Sequence, residues 1–254
     1  MLNKLTIKVI LIFLLLGVNK TQSAPEKIEL INQNWPFSGV FGRFDKSSLQ
    51  RGYLVYKEVC ASCHGLKHVS YRDLTGIGLT NDEIKSIAGE YFVMDGPNDE
   101  GEMFEREAKL SDKFVNPYEN DSQARLANNG AYPPDLSLMV KARAGGADYL
   151  YSLLNGYKEF PEGFEASEGM YYNEYYPGKQ IAMPSPIMDD IVEYNDGTDA
   201  THVQIARDVT SFLAWTAEPE LEERKSLGVK TMFFLTLLTI MLLGVKRKVW
   251  KDVN

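Results

Sequence analysis

Cys60-Ala61-Ser62-Cys63-His64 is the stretch of this chain whose residue types and spacing define a chemistry most narrowly. Two thiols separated by two residues can each add to a vinyl group on a porphyrin rim. The imidazole that follows can then turn beneath the ring toward iron, and the spacing is that of covalent c-type haem attachment. Other uses of two cysteines need partners that the chain lacks. A zinc site takes four protein ligands with paired spacing, whereas here there are two cysteines and three histidines, His64, His68 and His202. A thioredoxin-like pair belongs beside a strand-helix-strand pattern, which is absent. A structural disulfide suits an oxidising compartment but leaves His64 unused. With no second Cys-x-x-Cys-His, one haem is expected.

Haem iron takes a second axial ligand. His68, four residues after His64, cannot reach the opposite side of the same iron and reads as a loop or surface residue. A methionine thioether is a soft, neutral ligand that raises the potential of iron already bound by histidine. Of nine methionines, Met1 lies in the leader, Met232 and Met241 in an apolar C-terminal segment, and Met94 and Met103 in acidic sequence. Met139, Met170, Met183 and Met188 remain. Met183 is favoured by its setting, Ile-Ala-Met-Pro-Ser-Pro, because Pro184 and Pro186 restrict the backbone. The haem propionates call for a base, and the Arg143 guanidinium suits a carboxylate, although an ordinary surface arginine fits composition equally well.

The elements that must position these groups are helical. Leu49, Gly52, Tyr53, Tyr56, Val59 and Cys60 fall on one stripe at 3.6 spacing, with Asp45 or Ser47 available as a cap. That helix delivers the cysteines and sets Tyr56 one turn before Cys60, against the porphyrin or in ordinary core packing. Residues 24–43 read as an extended arm, and 81–107 as a strongly acidic solvated loop or docking surface. Turn signals fill 116–135. Leu136–Leu154 has helical character broken by Gly145 and Gly146. A last soluble helix, opened by the capping-box pattern Thr201-x-x-Gln204, keeps period to about Ala217. A short charged connector, Glu220 to Lys225, follows it.

The chain ends specify where this happens. Residues 1–23 read as a secretory signal peptide, with Lys4 and Lys8 before a short apolar core. Thr231 to Val245 carries no charge across 15 residues; begun at Leu227, with Lys230 snorkelling, it gives ~28 Å of helix against a ~30 Å hydrocarbon core. Lys246, Arg247, Lys248 and Lys251 follow it, which assigns that end to the cytoplasm. The expected organisation is thus a signal peptide (1–23), an exported haem domain (24–223) and an anchor with a basic tail (224–254, span about 227–245). Of the formal −8, the signal and the tail each contribute +3, so residues 24–245 carry −14. A domain this acidic is unsuited to nucleic acid and suited to basic partners.

Six stretches together resemble the cytochrome c1 family of the bacterial cytochrome bc1 (ubiquinol-cytochrome c reductase) complex, from about Trp35 to Trp250. They are Arg51-Gly-Tyr-Leu-Val-Tyr-Lys-Glu-Val-Cys-Ala-Ser-Cys-His, Asp95-Gly-Pro-Asn with Gly101-Glu-Met-Phe, Ala127-Asn-Asn-Gly-Ala-Tyr-Pro-Pro-Asp-Leu-Ser, Lys141-Ala-Arg-Ala-Gly-Gly, Tyr176-Pro-Gly-Lys-Gln-Ile-Ala-Met-Pro and Ala214-Trp-Thr-Ala-Glu-Pro-Glu. The resemblance implies a mainly α, cytochrome c-like haem domain with long loop insertions and one C-terminal transmembrane helix. It also implies Cys60 and Cys63 as thioether links, His64 and Met183 as the iron ligands of one haem c, and Arg143 as a propionate-binding arginine. The implied partners are cytochrome b, a Rieske iron-sulfur protein and a cytochrome c, within a dimeric complex of the respiratory chain. The implied location is the bacterial inner membrane, with the haem domain in the periplasm. With both cysteines committed to haem, the extra disulfide of some bacterial relatives is absent. Two rival functions are a stand-alone anchored cytochrome c feeding a terminal oxidase and a structural metal-binding module with no redox role.

Overall fold

The computed structural model describes residues 28–251, so the leader expected at 1–23 lies outside the described residues. In chain order these form α1 (Lys46–Glu58), α2 (Asn81–Gly89), β1 (Phe92–Asp95), β2 (Phe104–Glu107), α3 (Asp121–Ala127), α4 (Gly146–Asn155), β3 (Tyr171–Tyr172), β4 (Gln180–Ile181), α5 (His202–Ala217) and α6 (Leu221–Val249). Three 3-10 turns, Cys60–Ser62, Tyr71–Ile77 and Pro177–Lys179, lie between them. The mainly helical class matches the expectation.

The core is organised by α1 against α5. Asp45 caps α1 by accepting from Ser47 N at 3.2 Å, and the expected stripe buries Leu49, Gly52, Tyr53 and Tyr56, with Val55 alongside. At the crossing, a Cβ on residue 52 would lie 2.1 Å from the Asp208 carbonyl oxygen and 2.7 Å from Phe212 Cβ. Only glycine allows that approach. Beside it the fully buried Asp208 carboxylate accepts from Ser48 Oγ (2.7 Å), Arg51 Nε (2.8 Å) and Gln204 Nε2 (2.9 Å). A buried charge persists only when paired and hydrogen-bonded in this way. Gln204 is thereby drawn off the reciprocal half of the expected capping box. Thr201 still accepts from Gln204 N at 3.3 Å, while the glutamine side chain turns inward to Asp208.

The N-terminal arm straps the other side of α5 and α4; it is extended over 28–35, while 36–43, expected to be extended too, turns back on itself in a tight loop. Ile31 N donates to Ser152 Oγ (2.8 Å), and Gln33 N and Trp35 Nε1 both donate to Asp148 Oδ1 (3.0 and 2.7 Å). Arg207 of α5 donates back to Gln33 Oε1 and the Asn34 carbonyl.

Three local expectations are corrected. Of 136–154 only the part from Gly146 onward is helix (α4), because Gly145 (φ +91°) at its N-cap and Gly146 (φ +55°) at its first position are both left-handed and interrupt any helix before them. The acidic 81–107 stretch is not one loop. Thr80 and Glu83 form a reciprocal capping box that starts α2, and β1 and β2 pair antiparallel with Met94 opposite Glu105. Arg106 binds both Asp95 and Asp112, which supplies the counter-charge that an acidic run needs to fold. Finally, most of the Glu220–Lys225 connector is already the first turns of α6, leaving Glu218–Glu220 between the two helices.

Helix α6 is 29 residues, or about 43 Å at ~1.5 Å each. Its apolar stretch is exposed on all sides, with no part of the most apolar window buried among the described residues. Such a helix is too apolar for water and long enough to cross a bilayer.

Candidate haem site

The five-residue motif sits at the end of α1. The helix stops at Glu58, and Cys60–Ser62 tightens into a 3-10 turn in which Cys63 N (3.1 Å) and His64 N (2.9 Å) both donate to the Cys60 carbonyl. Both thiols are free and partly buried. Burial, with Cys63 alongside, pushes the Cys60 thiol up to about 12. Before attachment it therefore keeps its proton at neutral pH.

His64 is held from two directions. Its Nδ1 lies 2.7 Å from the Pro134 carbonyl oxygen. A carbonyl only accepts, so Nδ1 carries the proton and the Nε2 lone pair is left for a metal. Burial lowers the imidazole's pKa, which keeps it in the neutral, ligating form. The Tyr56 hydroxyl donates to the His64 carbonyl at 3.0 Å, while its ring packs on Phe114 and Phe212. The segment after Pro134 is bonded to the segment after His64: Leu136 N donates to the Gly65 carbonyl (2.9 Å), and Lys67 N and Ser137 N donate to the Asp135 carboxylate.

Met183 follows β4 by two residues. The β3–β4 ribbon turns through Pro177–Lys179, with Gly178 left-handed, and delivers Met183 partly buried against the core. Tyr157 donates its hydroxyl to the Met183 carbonyl at 3.1 Å. The rival methionines differ: Met139 is enclosed in the core, whereas Met170 and Met188 are exposed. His68 is exposed, as expected for a loop residue. Arg143 lies at the surface just before α4 with no carboxylate in ion-pair reach among the described residues, its Nη1 donating to the Ala142 carbonyl and its charge beside Tyr149.

This donor set fits a covalently attached haem: paired free thiols, a neutral imidazole with one nitrogen already bound, a neutral thioether on a braced segment, and an unpaired guanidinium for a propionate. Pro134 and Tyr157 contact two of the expected ligand residues, and spacing did not indicate them. Their roles depend on a backbone carbonyl and a contact 26 residues away. The Tyr-Pro-Pro-Asp turn was the only legible trace of the first.

Fold and donor set together describe a membrane-anchored c-type cytochrome. Comparison with known proteins narrows the class. The sequence profile of the Cytochrome C1 family matches residues 35–253. The chain is 50% identical over 233 residues to cytochrome c1 2, a mitochondrial haem protein of Arabidopsis thaliana, covering 92% of this chain and 76% of that one. It is 47% identical over 243 residues to cytochrome c1 of Rhodospirillum rubrum, 89% of each. It is 49% identical over 222 residues to the mitochondrial cytochrome b-c1 complex catalytic subunit of Candida albicans, 87% and 77% of the two chains. The chain belongs to the cytochrome c1 family, whose members are the haem c subunits of the cytochrome b-c1 complex in electron transport.

Proposed function

We propose that this chain takes electrons one at a time from a Rieske iron-sulfur protein and passes them to a cytochrome c, beside cytochrome b in a dimeric complex. When bound, haem c supplies a one-electron iron couple whose potential a methionine ligand raises. The chain's own residues do the rest. Cys60 and Cys63 hold the porphyrin by two thioethers, His64 and Met183 ligate the iron, and Arg143 neutralises a propionate. Pro134 fixes the imidazole tautomer, and Tyr56 and Tyr157 brace the backbone behind each ligand. The observation that carries this reading is the 2.7 Å contact from His64 Nδ1 to Pro134, which leaves Nε2 free beside two unpaired thiols.

Residues 1–23 are read as an export signal, 24–223 as the haem domain and 224–254 as anchor and tail. The bases after Val245 favour a cytoplasmic C-terminus, and so a periplasmic haem domain in a bacterial inner membrane. The −14 carried by residues 24–245 favours a basic electron acceptor.

The test is extraction from membranes in mild detergent. The chain is expected to come out with cytochrome b and a Rieske protein, and its haem to be reduced by quinol only while the Rieske protein is present. Electron transfer to cytochrome c is expected to slow as salt rises through the range where the Debye length falls from ~30 to ~8 Å. Purification without cytochrome b would favour a stand-alone carrier instead, and a flat salt profile would remove the acidic docking surface.

A further inference from the structure

A loop ahead of α1 meets the membrane helix where it leaves the domain. The loop is tight: Ser38 N donates to the Trp35 carbonyl, and Arg43 N to that of Pro36, each at 3.0 Å. Phe37 lies between the Trp35 and Phe44 rings, with centroids 5.4 and 4.9 Å away. Helix α6 fastens it. Lys225 Nζ donates to the carbonyls of Phe37 (2.6 Å) and Gly42 (3.3 Å), and Glu222 Oε1 accepts from Phe44 N (2.9 Å). The loop is therefore stiff, yet its tip is bare and apolar, with Val40 62% and Phe41 83% exposed.

The tip shares a groove of about 230 Å³ with Arg43, Lys225, Val229 and Lys230. Lys230 is the last charge before the uncharged run that starts at Thr231, so this groove lies at headgroup depth, where a snorkelling lysine belongs. Its one carboxylate, Glu222, is already bound to Phe44 N, and Lys225 is held by the two loop carbonyls. Arg43 and Lys230 have no carboxylate within ion-pair reach among the described residues.

We propose that this groove binds an anionic phospholipid of the leaflet on the haem-domain side. Arg43 and Lys230 hold the headgroup phosphate, and Val40 and Phe41 enter the upper acyl region beside it. A phosphodiester matches two unpaired bases, and a rigid apolar tip next to a membrane helix gains by leaving water. The inference rests on α6 crossing the bilayer. It does not depend on which side the domain occupies.

The experiment uses the full haem-loaded chain in nanodiscs of phosphatidylcholine with a minority of phosphatidylglycerol, followed by mild detergent washing and mass spectrometry of the retained lipid. The wild type is expected to keep phosphatidylglycerol in preference to phosphatidylcholine. Arg43→Gln and Lys230→Gln should each reduce that preference about fivefold, and the pair roughly twentyfold, the attraction one base has for an anionic membrane. Arg43→Lys should retain it. Phe41→Asn should weaken retention of both lipids, with haem content unchanged in every variant. Equal retention by wild type and the double glutamine variant would overturn the proposal, as would loss of bound lipid to millimolar inorganic phosphate, or a groove found covered by cytochrome b in the intact complex. Failure of the wild type to enter nanodiscs would instead defeat the membrane span.

Discussion

The two sides proposed for the haem site are built by opposite means. The proximal side is five contiguous residues on a 3-10 turn whose backbone hydrogen bonds close within the motif, with one long-range contact, from His64 Nδ1 to the Pro134 carbonyl. The distal side proposed for it is one side chain, Met183, 119 residues from His64, just past a short two-stranded ribbon and braced by a single hydroxyl from Tyr157. A wall made of local contacts tolerates change around it. A wall made of distant ones concentrates its precision in a few bonds, and there a small substitution should tune rather than destroy.

The contrast is broken most severely on the proximal side. Replacing both Cys60 and Cys63 by serine removes both attachment points, so covalent haem, read as the alkaline pyridine spectrum of denatured protein, should fall to background. On the distal side, Met183→Leu should leave haem content intact while the midpoint potential drops by on the order of 100 mV or more, since axial ligands set potential over a wide span. An unchanged potential would remove Met183 as the ligand and return the choice to its rivals. Tyr157→Phe deletes only the brace behind Met183. One hydrogen bond is worth about 1 kcal/mol, so a shift of a few tens of millivolts is expected, with the thioether-to-iron absorption band broadened. Tyr56→Phe, the matching change on the proximal wall, should move the potential less, because the Cys60 turn and Pro134 hold His64 without it.

The smallest effect lies away from both walls. Hydrogen bonding from Arg106 holds the Asp112 carboxyl down at about 2, and Thr198 N with Arg51 does the same for Asp196. Depressed values stabilise the fold fully above the ordinary carboxylate value of 3.8 and lose that contribution as pH falls through about 2. Thermal unfolding midpoints should therefore decline modestly between those values. Arg106→Gln should flatten the part that comes from the hairpin.

Legibility in the sequence followed the same division. Cys60, Cys63 and His64 were readable because their chemistry depends on spacing along the chain. The α1 stripe was readable because a 3.6 period survives whatever packs against it. Met183 could be narrowed to four candidates by composition, and the difference in burial between Met139 and Met188 needed the fold. Pro134 and Tyr157 were invisible, since a carbonyl is the same on every residue and a tyrosine at 157 has no local mark. The acidic 81–107 stretch misled for a related reason. Charge density suggested solvent, while the outcome depended on where Arg106 could reach.

Gly52 and Asp208 meet across a gap of more than 150 residues. A polypeptide made from its N-terminus finishes the first helix of this pair long before the second exists. Until α5 arrives, the apolar face carrying Tyr53 and Tyr56 can close only against Phe114, and the Phe212 side of it stays open. The crossing at Gly52 is thus among the last core contacts that the growing chain can make, and the first helix must wait for it.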